Sequence, residues 1–316
     1  MLTLTDRIRG GIYGALVADA LGVPVEFIDR SERDFDPVTG IRGHGTWDQP
    51  PGTWSDDGSL LLCSVEALLN GYRPEVLAHG FVRWFGEAHW SARGTVFDIG
   101  NATRTAISRL SKGCVPEQAG GQAADDNGNG SLMRILPVAL RFAGRPLDEV
   151  AEIATRASRL THAHPRSCLA CSIYCVFASR LLAGETPIEA RKQTADFIQT
   201  WVGTPVSELI HFNRALSPDL EFIPREEIAS SGYVVHTLEA ALWCLLNSRD
   251  YRGTVLAAVN LGSDTDTTGC VAGGLAGILY GINSIPPEWR ASLPRQEELD
   301  QLSGEFTARV RDAQSL

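Results

Sequence analysis

The strongest constraint on this chain is a helical period in its apolar residues that recurs along most of its length, without sustained two-residue alternation. Leu60, Leu61, Leu68 and Leu69 share one stripe, Val176 and Leu181 lie on another, and Leu238, Leu242, Leu245 and Leu246 form a third. Spacing of this kind suits helices that bury one face. Helices are expected at 3–19, 58–69, 74–89, 98–111, 134–142, 147–159, 165–183, 187–202, around 238–246, and at 252–260, 267–281 and 296–312. Helices without strands predict an all-α fold. Two long irregular stretches, 113–130 and 212–235, are rich in Gly, Pro, Ser or acidic residues. Loops of that length inside a packed domain tend to carry function. Neither has the composition of a linker between separate cores, so 1–316 is expected to form a single domain.

Charge narrows the partners. With 28 Lys and Arg against 38 Asp and Glu, the net charge is -10 and no basic run exists. Nucleic-acid binding by phosphate neutralisation is therefore not expected, whereas bound cations can balance some of the acids. Arg7 and Arg9 ahead of Gly10–Ala18 look superficially like a signal peptide, but Asp19 interrupts the apolar run. No apolar stretch is expected to reach membrane-spanning length, because Gly, Arg or Asp breaks each within about 15 residues, and a cytoplasmic location follows. The seven cysteines are odd in number and scattered through helical patterns, as for reduced thiols. His164, Cys168, Cys171 and Cys175 share a helical stripe, yet four ligands along one straight helix cannot close a tetrahedron around zinc. They read as small residues on a buried face. Oligomeric state is open.

Four segments carry chemistry. Gly52-Thr53-Trp54-Ser55-Asp56-Asp57 runs directly into an apolar helix. One Ser or Asp caps a helix start by accepting from free N–H groups; two adjacent aspartates exceed that need and can reach cations. Both readings stay open on this segment alone. Gly262-Ser263-Asp264-Thr265-Asp266-Thr267-Thr268 opens a Gly-rich helix, with acids alternating and hydroxyls between them, an oxygen set suited to hard cations. Gly269, Ala272, Gly273, Gly274, Ala276 and Gly277 permit another helix to approach closely. Asp19 sits among small apolar residues, either exposed or as a local cap partner, and Glu26 lies on a loop after the break at Gly22 and Pro24. Asn127-Gly128-Asn129-Gly130-Ser131-Leu132-Met133-Arg134 is a Gly-rich turn entering a helix, either a plain turn or a cradle for a pyrophosphate.

In this order, and together with Asp98-Ile99-Gly100 and Thr161-His162, these segments resemble the ADP-ribosylglycohydrolase family, which includes dinitrogenase reductase-activating glycohydrolases and ADP-ribosyl-arginine hydrolases. The resemblance covers nearly the whole chain. It implies a compact multi-helix orthogonal bundle with two divalent cations, Mg²⁺ or Mn²⁺, in a cleft. Metal ligands would fall on Ser55, Asp56, Asp57, Asp264, Asp266 and Thr267. Glu26 matches a glutamate on a flexible loop over the metals, and Asp98 an acid beside the substrate ribose. Asn129, Gly130, Ser131 and Met133 match the substrate-cradling loop, and His162 a residue lining the pocket. The chain departs from the usual pattern at Ala18 and Ser263, where glycine is common, at Ser55, where threonine is, and at Gly58, where a hydroxyl residue is.

The implied reaction hydrolyses the N-glycosidic bond between ADP-ribose and an acceptor, foremost a protein arginine, through an oxocarbenium-like transition state. The substrate would be an ADP-ribosylated protein or an ADP-ribose-containing small molecule. Asp57, Asp98 and Glu26 are the candidates for acid and base, and the sequence does not choose among them. Two rival readings stand beside it: a dinuclear-metal phosphoesterase using a similar oxygen-rich centre, and a catalytically silent ADP-ribose-binding relative. The intact set of acids argues against the second.

Overall fold

In chain order the helices of the computed structural model, which describes residues 2–314, are α1 (Leu4–Gly22), α2 (Arg30–Phe35), α3 (Asp56–Ala67), α4 (Pro74–Glu87), α5 (Asn101–Ser111), α6 (Leu136–Arg141), α7 (Leu147–Ser158), α8 (Pro165–Leu182), α9 (Pro187–Thr200), α10 (Val234–Leu246), α11 (Tyr251–Val259), α12 (Thr265–Tyr280), α13 (Pro287–Ser292) and α14 (Gln296–Gln314). Among the described residues only isolated bridges occur and no strand forms, so the fold is all-α. Two helices escaped the periodicity: α2 and α13 have 6 residues each, too few to show a repeat. The expected starts at 58 and 267 move back to Asp56 and Thr265, which puts Asp56, Asp57 and Asp266 in first turns. The expected start at 98 moves forward to Asn101, leaving Asp98 on a loop with φ +60.

Helix α1 is buried on every side from Gly10 to Gly22. The expectation that no apolar stretch reaches membrane-spanning length is corrected here: Leu4–Val25 is long and apolar enough, and 94% of its most apolar window is buried inside the fold. A helix apolar all round needs a complete apolar surround, and the other helices supply it.

Its main partner is α12, which runs antiparallel to it with the backbones in direct contact. Gly10 meets Gly277, Gly14 meets Gly273, Ala18 meets Gly269, and Gly22 meets Thr265 and Asp266. A Cβ built on Gly277 would stand 1.9 Å from the Gly10 carbonyl oxygen, and one on Gly14 would stand 2.4 Å from that of Gly273. Hydroxyls from α8, α11 and α12 itself accompany the seam. Tyr251 Oη donates to the Gly14 carbonyl at 2.7 Å, Thr265 Oγ1 to that of Gly22 at 2.8 Å, and Tyr174 Oη to that of Val271 at 2.9 Å.

The two long irregular stretches remain loops broken by short 3₁₀ turns, and they meet one another. Gly128 bridges to Tyr233, the Asn129 N–H donates to the Gly232 carbonyl at 3.0 Å, and the Val234 N–H donates to that of Asn127 at 3.0 Å. On α8, Cys168, Cys171 and Cys175 are buried free thiols, and His164 instead caps the helix by accepting from the Arg166 N–H at 3.1 Å.

The seam yields a paired test. Gly277→Ala forces α1 and α12 apart and is expected to cost about 2 kcal/mol or more, as overpacking does. Gly304→Ala on α14, where an added Cβ meets nothing within 4 Å, is expected to stabilise by about 0.5–1 kcal/mol. Urea denaturation of both variants measures the contrast.

Candidate metal centre

The first turn of α3 is capped twice. Ser55 Oγ accepts from the Asp57 N–H at 3.2 Å. The carboxylate of Asp19, fully buried on α1, accepts from the Ser55 N–H at 3.0 and 3.1 Å and from the Gly58 N–H at 2.8 Å. The free N–H groups that a helix start presents are thus answered from a distant helix. Asp56 and Asp57, both buried, are released from capping. One oxygen of Asp57, Oδ1, accepts from Thr267 Oγ1 at 3.4 Å, and Oδ2 is buried without a partner.

The turn before α12 is fixed by the segment that follows Glu26. The Phe27 N–H donates to the Ser263 carbonyl at 2.6 Å, and the Ser263 N–H donates to that of Ile28 at 2.9 Å. Ser263 adopts φ +62, the left-handed region glycine prefers, which accounts for glycine being common there. Asp264 Oδ2 accepts from Asn129 Nδ2 at 2.7 Å, and its Oδ1 is buried without a partner. Asp266 Oδ1 accepts from the Thr267 N–H at 2.9 Å, and its Oδ2 is likewise unpartnered. Carboxylate oxygens of Glu26, Asp264 and Asp266 lie within 4.8 Å of one another. Glu26 Oε2 accepts from the Trp47 indole N–H at 2.5 Å.

Gathering these acids is costly. Burial first, and the charge of Asp266 second, push the carboxyls of Asp19, Asp56, Asp57 and Asp98 well above the ordinary carboxylate range. The same two causes raise Glu26 to about 9 and Asp264 to about 7. Asp266 itself is raised by burial. No ion pair among the described residues includes any of the seven. Buried carboxylates without cationic partners are stable only when protonated or bound to a metal ion. Three unpartnered carboxylate oxygens on two helix starts form an all-oxygen donor set that fits a hard divalent cation.

A cavity of about 310 Å³ opens beside this cluster. Glu26, Asp56, Asp57, Asp98, Asp264 and Thr267 line it from the acidic segments; Asp125, Gly128, Asn129, Gly130, Met133 and His162 line it from the turn and from the segment before α8. Three of the residues singled out in the sequence are not among those lining it. Asp266 is fully buried, and one lone pair of the Ser55 hydroxyl serves the α3 cap. The side chain of Ser131 turns into the interior, where its Oγ accepts from Ser158 Oγ at 2.9 Å beside Cys171. Sequence reasoning missed Trp47, which holds Glu26, and left Asp19 without a defined role. It also missed Asn101 and Thr103, which line the cavity from the first turn of α5. No local pattern marks Trp47, whose partner lies 21 positions away.

Among the described residues the scaffold is helical throughout, and its cleft is lined by buried carboxylates. The sequence profile of the ADP-ribosylglycohydrolase family matches residues 1–315, and the chain belongs to that family of glycosyl hydrolases. It is 30% identical over 300 residues to the ADP-ribosylarginine hydrolase Tri1 of Serratia proteamaculans, covering 94% of this chain and 78% of that one. It is 30% identical to the ADP-ribosyl-[dinitrogen reductase] glycohydrolase of Rhodospirillum rubrum, over 93% of this chain and 92% of that one. A solved structure described as an ADP-ribosylglycohydrolase-related protein complex superposes with a TM-score of 0.82 at 32% identity, covering 97% of this chain and 99% of its own.

His162 supplies a pH test of the cleft's second wall. Burial first, and Arg134 second, lower its imidazole to about 3. The unfolded chain takes up that proton near the ordinary histidine value, so this group's stabilisation is full above about pH 6.5 and is lost as pH falls toward about 3. Relative to His162→Gln, the wild type is expected to lose on the order of 2–4 kcal/mol between about pH 7 and about pH 4. Parallel denaturant titrations at the two pH values give the difference.

Proposed function

We propose that this enzyme hydrolyses the N-glycosidic bond between the anomeric carbon of ADP-ribose and a guanidino nitrogen of a modified protein arginine, using two divalent cations, Mg²⁺ or Mn²⁺. The observation that carries this reading is the set of unpartnered carboxylate oxygens on Asp57, Asp264 and Asp266, buried beside a cleft that Asp57 and Asp264 line. The activities named for the relatives from Serratia proteamaculans and Rhodospirillum rubrum support the same substrate class.

In this reading Asp56, Asp57, Asp264, Asp266 and Thr267 hold the cations, with Ser55 completing the shell. Bound cations would orient the ribose hydroxyls and make a water more acidic. Glu26 and Asp98 line the cleft and cap no helix, which leaves them to move the protons. One carboxylate takes a proton from the attacking water, whose oxygen bonds to the anomeric carbon; the other protonates the departing nitrogen as its bond to that carbon breaks. Trp47 fixes Glu26 for this task through its indole N–H. Asn129 ties the substrate-facing turn to the metal end through Asp264. Gly130 has no room for a side chain, since a Cβ there would stand 2.8 Å from Thr103 Oγ1 and 2.9 Å from His162 Cε1.

Incubating the protein with arginine-linked ADP-ribosyl protein and Mg²⁺ or Mn²⁺ is expected to release intact ADP-ribose and restore unmodified arginine, as read by mass spectrometry. Chelator is expected to abolish the release. Release of AMP or phosphate instead would make the protein a phosphoesterase, and binding without turnover would make it a silent relative. Asp266→Asn is expected to lower turnover by about 100-fold or more and to remove the metal-dependent rise in melting temperature, because one ligand charge is lost. Unchanged turnover in that variant would remove Asp266 from the centre.

A further inference from the structure

Arg134 follows the substrate-facing turn, yet its side chain turns away from the cleft. It is 1% exposed, its guanidinium sits 4.5 Å over the Phe81 ring, and it forms no ion pair among the described residues. Its Nη2 donates to the Ala157 carbonyl at 3.2 Å and to Thr161 Oγ1 at 2.7 Å, while Nε and Nη1 have no partner. A buried cation so poorly compensated is destabilising, and a packed apolar side chain would serve the core better. Its surviving polar contact with a side chain leads to the cleft.

Thr161 is fully buried, and its hydroxyl touches two groups, the Arg134 guanidinium and His162 Nδ1 at 2.9 Å. A guanidinium only donates, so the Thr161 oxygen accepts from it. The hydroxyl hydrogen then has one acceptor within reach among the described residues, the ring nitrogen Nδ1. Were Nδ1 to carry the proton instead, the Thr161 oxygen would face donors on both sides and its own hydrogen would be buried without a partner, at a cost of about 1–3 kcal/mol. An imidazole that accepts at Nδ1 carries its proton on Nε2. That edge of the ring faces the turn: a Cβ built on Gly128 would stand 3.5 Å from Nε2.

We propose that Arg134 is a positioning residue acting through Thr161 to fix the His162 tautomer, so that an Nε2–H donor points into the cleft and binds a diphosphate or ribose oxygen of the ADP-ribose moiety. The ligand in this statement rests on the proposed function; the tautomer does not. The carboxylates that line the cleft donate no hydrogen bond when ionised, so a diphosphate or ribose oxygen needs donors from the turn and from His162. In the other tautomer a lone pair would face the ligand's oxygen. Burial and the Arg134 charge, which hold the imidazole far below its ordinary value, keep the ring from taking a second proton that would compete for the acidic wall.

The test uses full-length, Mg²⁺-supplemented protein labelled with ¹⁵N-histidine. Two-bond ¹H–¹⁵N correlation spectra are expected to show His162 with a bare Nδ1 and a protonated Nε2 from about pH 6 to about pH 8. Thr161→Val is expected to yield a mixture of tautomers and to weaken binding of free ADP-ribose about tenfold by calorimetry, the worth of one hydrogen bond, with Thr161→Ser restoring both. Arg134→Met is expected to follow Thr161→Val. If that variant does not fold, the wild-type spectrum and the Thr161 pair still decide. A protonated Nδ1 in the wild type overturns the proposal, as does a Thr161→Val protein that keeps both tautomer and affinity. A wild type inactive on arginine-linked ADP-ribose that nonetheless shows the stated tautomer would defeat the proposed function and leave the tautomer assignment intact.

Discussion

Direct backbone contact between α1 and α12 is the constraint on which the acidic centre depends. The contacting pairs, from Gly10 with Gly277 to Gly22 with Thr265 and Asp266, keep one register along four steps of the two helices. The last step delivers Asp266 to the end of α1, beside the segment that carries Glu26. One residue past Ala18 on the same helix, Asp19 reaches sideways and caps α3. A single buried helix therefore sets the position of both acidic turns, one by shape and the other by charge. Close-packed interiors transmit such registration faithfully, because neither partner can shift without opening a void or a clash.

The backbone is strained where these elements meet. Phe27, Asp98 and Ser263 all take φ near +60, at +62, +60 and +62, although none is glycine. Such conformations cost of order 1 kcal/mol each and persist where the surrounding structure over-determines them. Each of these residues is either a site acid or is tied to one: Phe27 and Ser263 bond to each other next to Glu26, and Asp98 lines the cleft. Gly58, where the family commonly has a hydroxyl residue, has a local reason. A Cβ there would stand 2.8 Å from both Trp54 and Leu16, so these larger neighbours occupy the space.

The cleft divides its labour by charge. One wall concentrates buried carboxylates that only protons or cations can stabilise; the other adds neutral donors from Asn129, the glycines and His162 beside a single acid, Asp125. Asn129 joins the walls, since its amide donates to both Asp264 and Thr237. Arg134, a buried cation on the same side, is kept out of the cleft and contacts it through Thr161.

Much of this was legible in the sequence because the information is local. A helical period survives in any stretch of two or three turns, so α1, α4, α7, α8 and α9 could be read directly, whereas the six-residue α2 and α13 could not. The acids at 56, 57, 264 and 266 stood out because two exceed what a cap requires. Whether they cap or bind ions was undecidable from the chain, since the answer lies in Asp19, which is 36 positions from Ser55. Ser131 looked equivalent to its neighbours in the turn, and only the packing of α7 and α8 turned its hydroxyl inward. The sequence determined which segments are helices and which side chains can bear the chemistry, because propensity and donor type are properties of residues. Tertiary structure alone decided which acids are freed, which hydroxyls face the cleft and which wall is charged, because those depend on burial and on partners that the chain holds far apart.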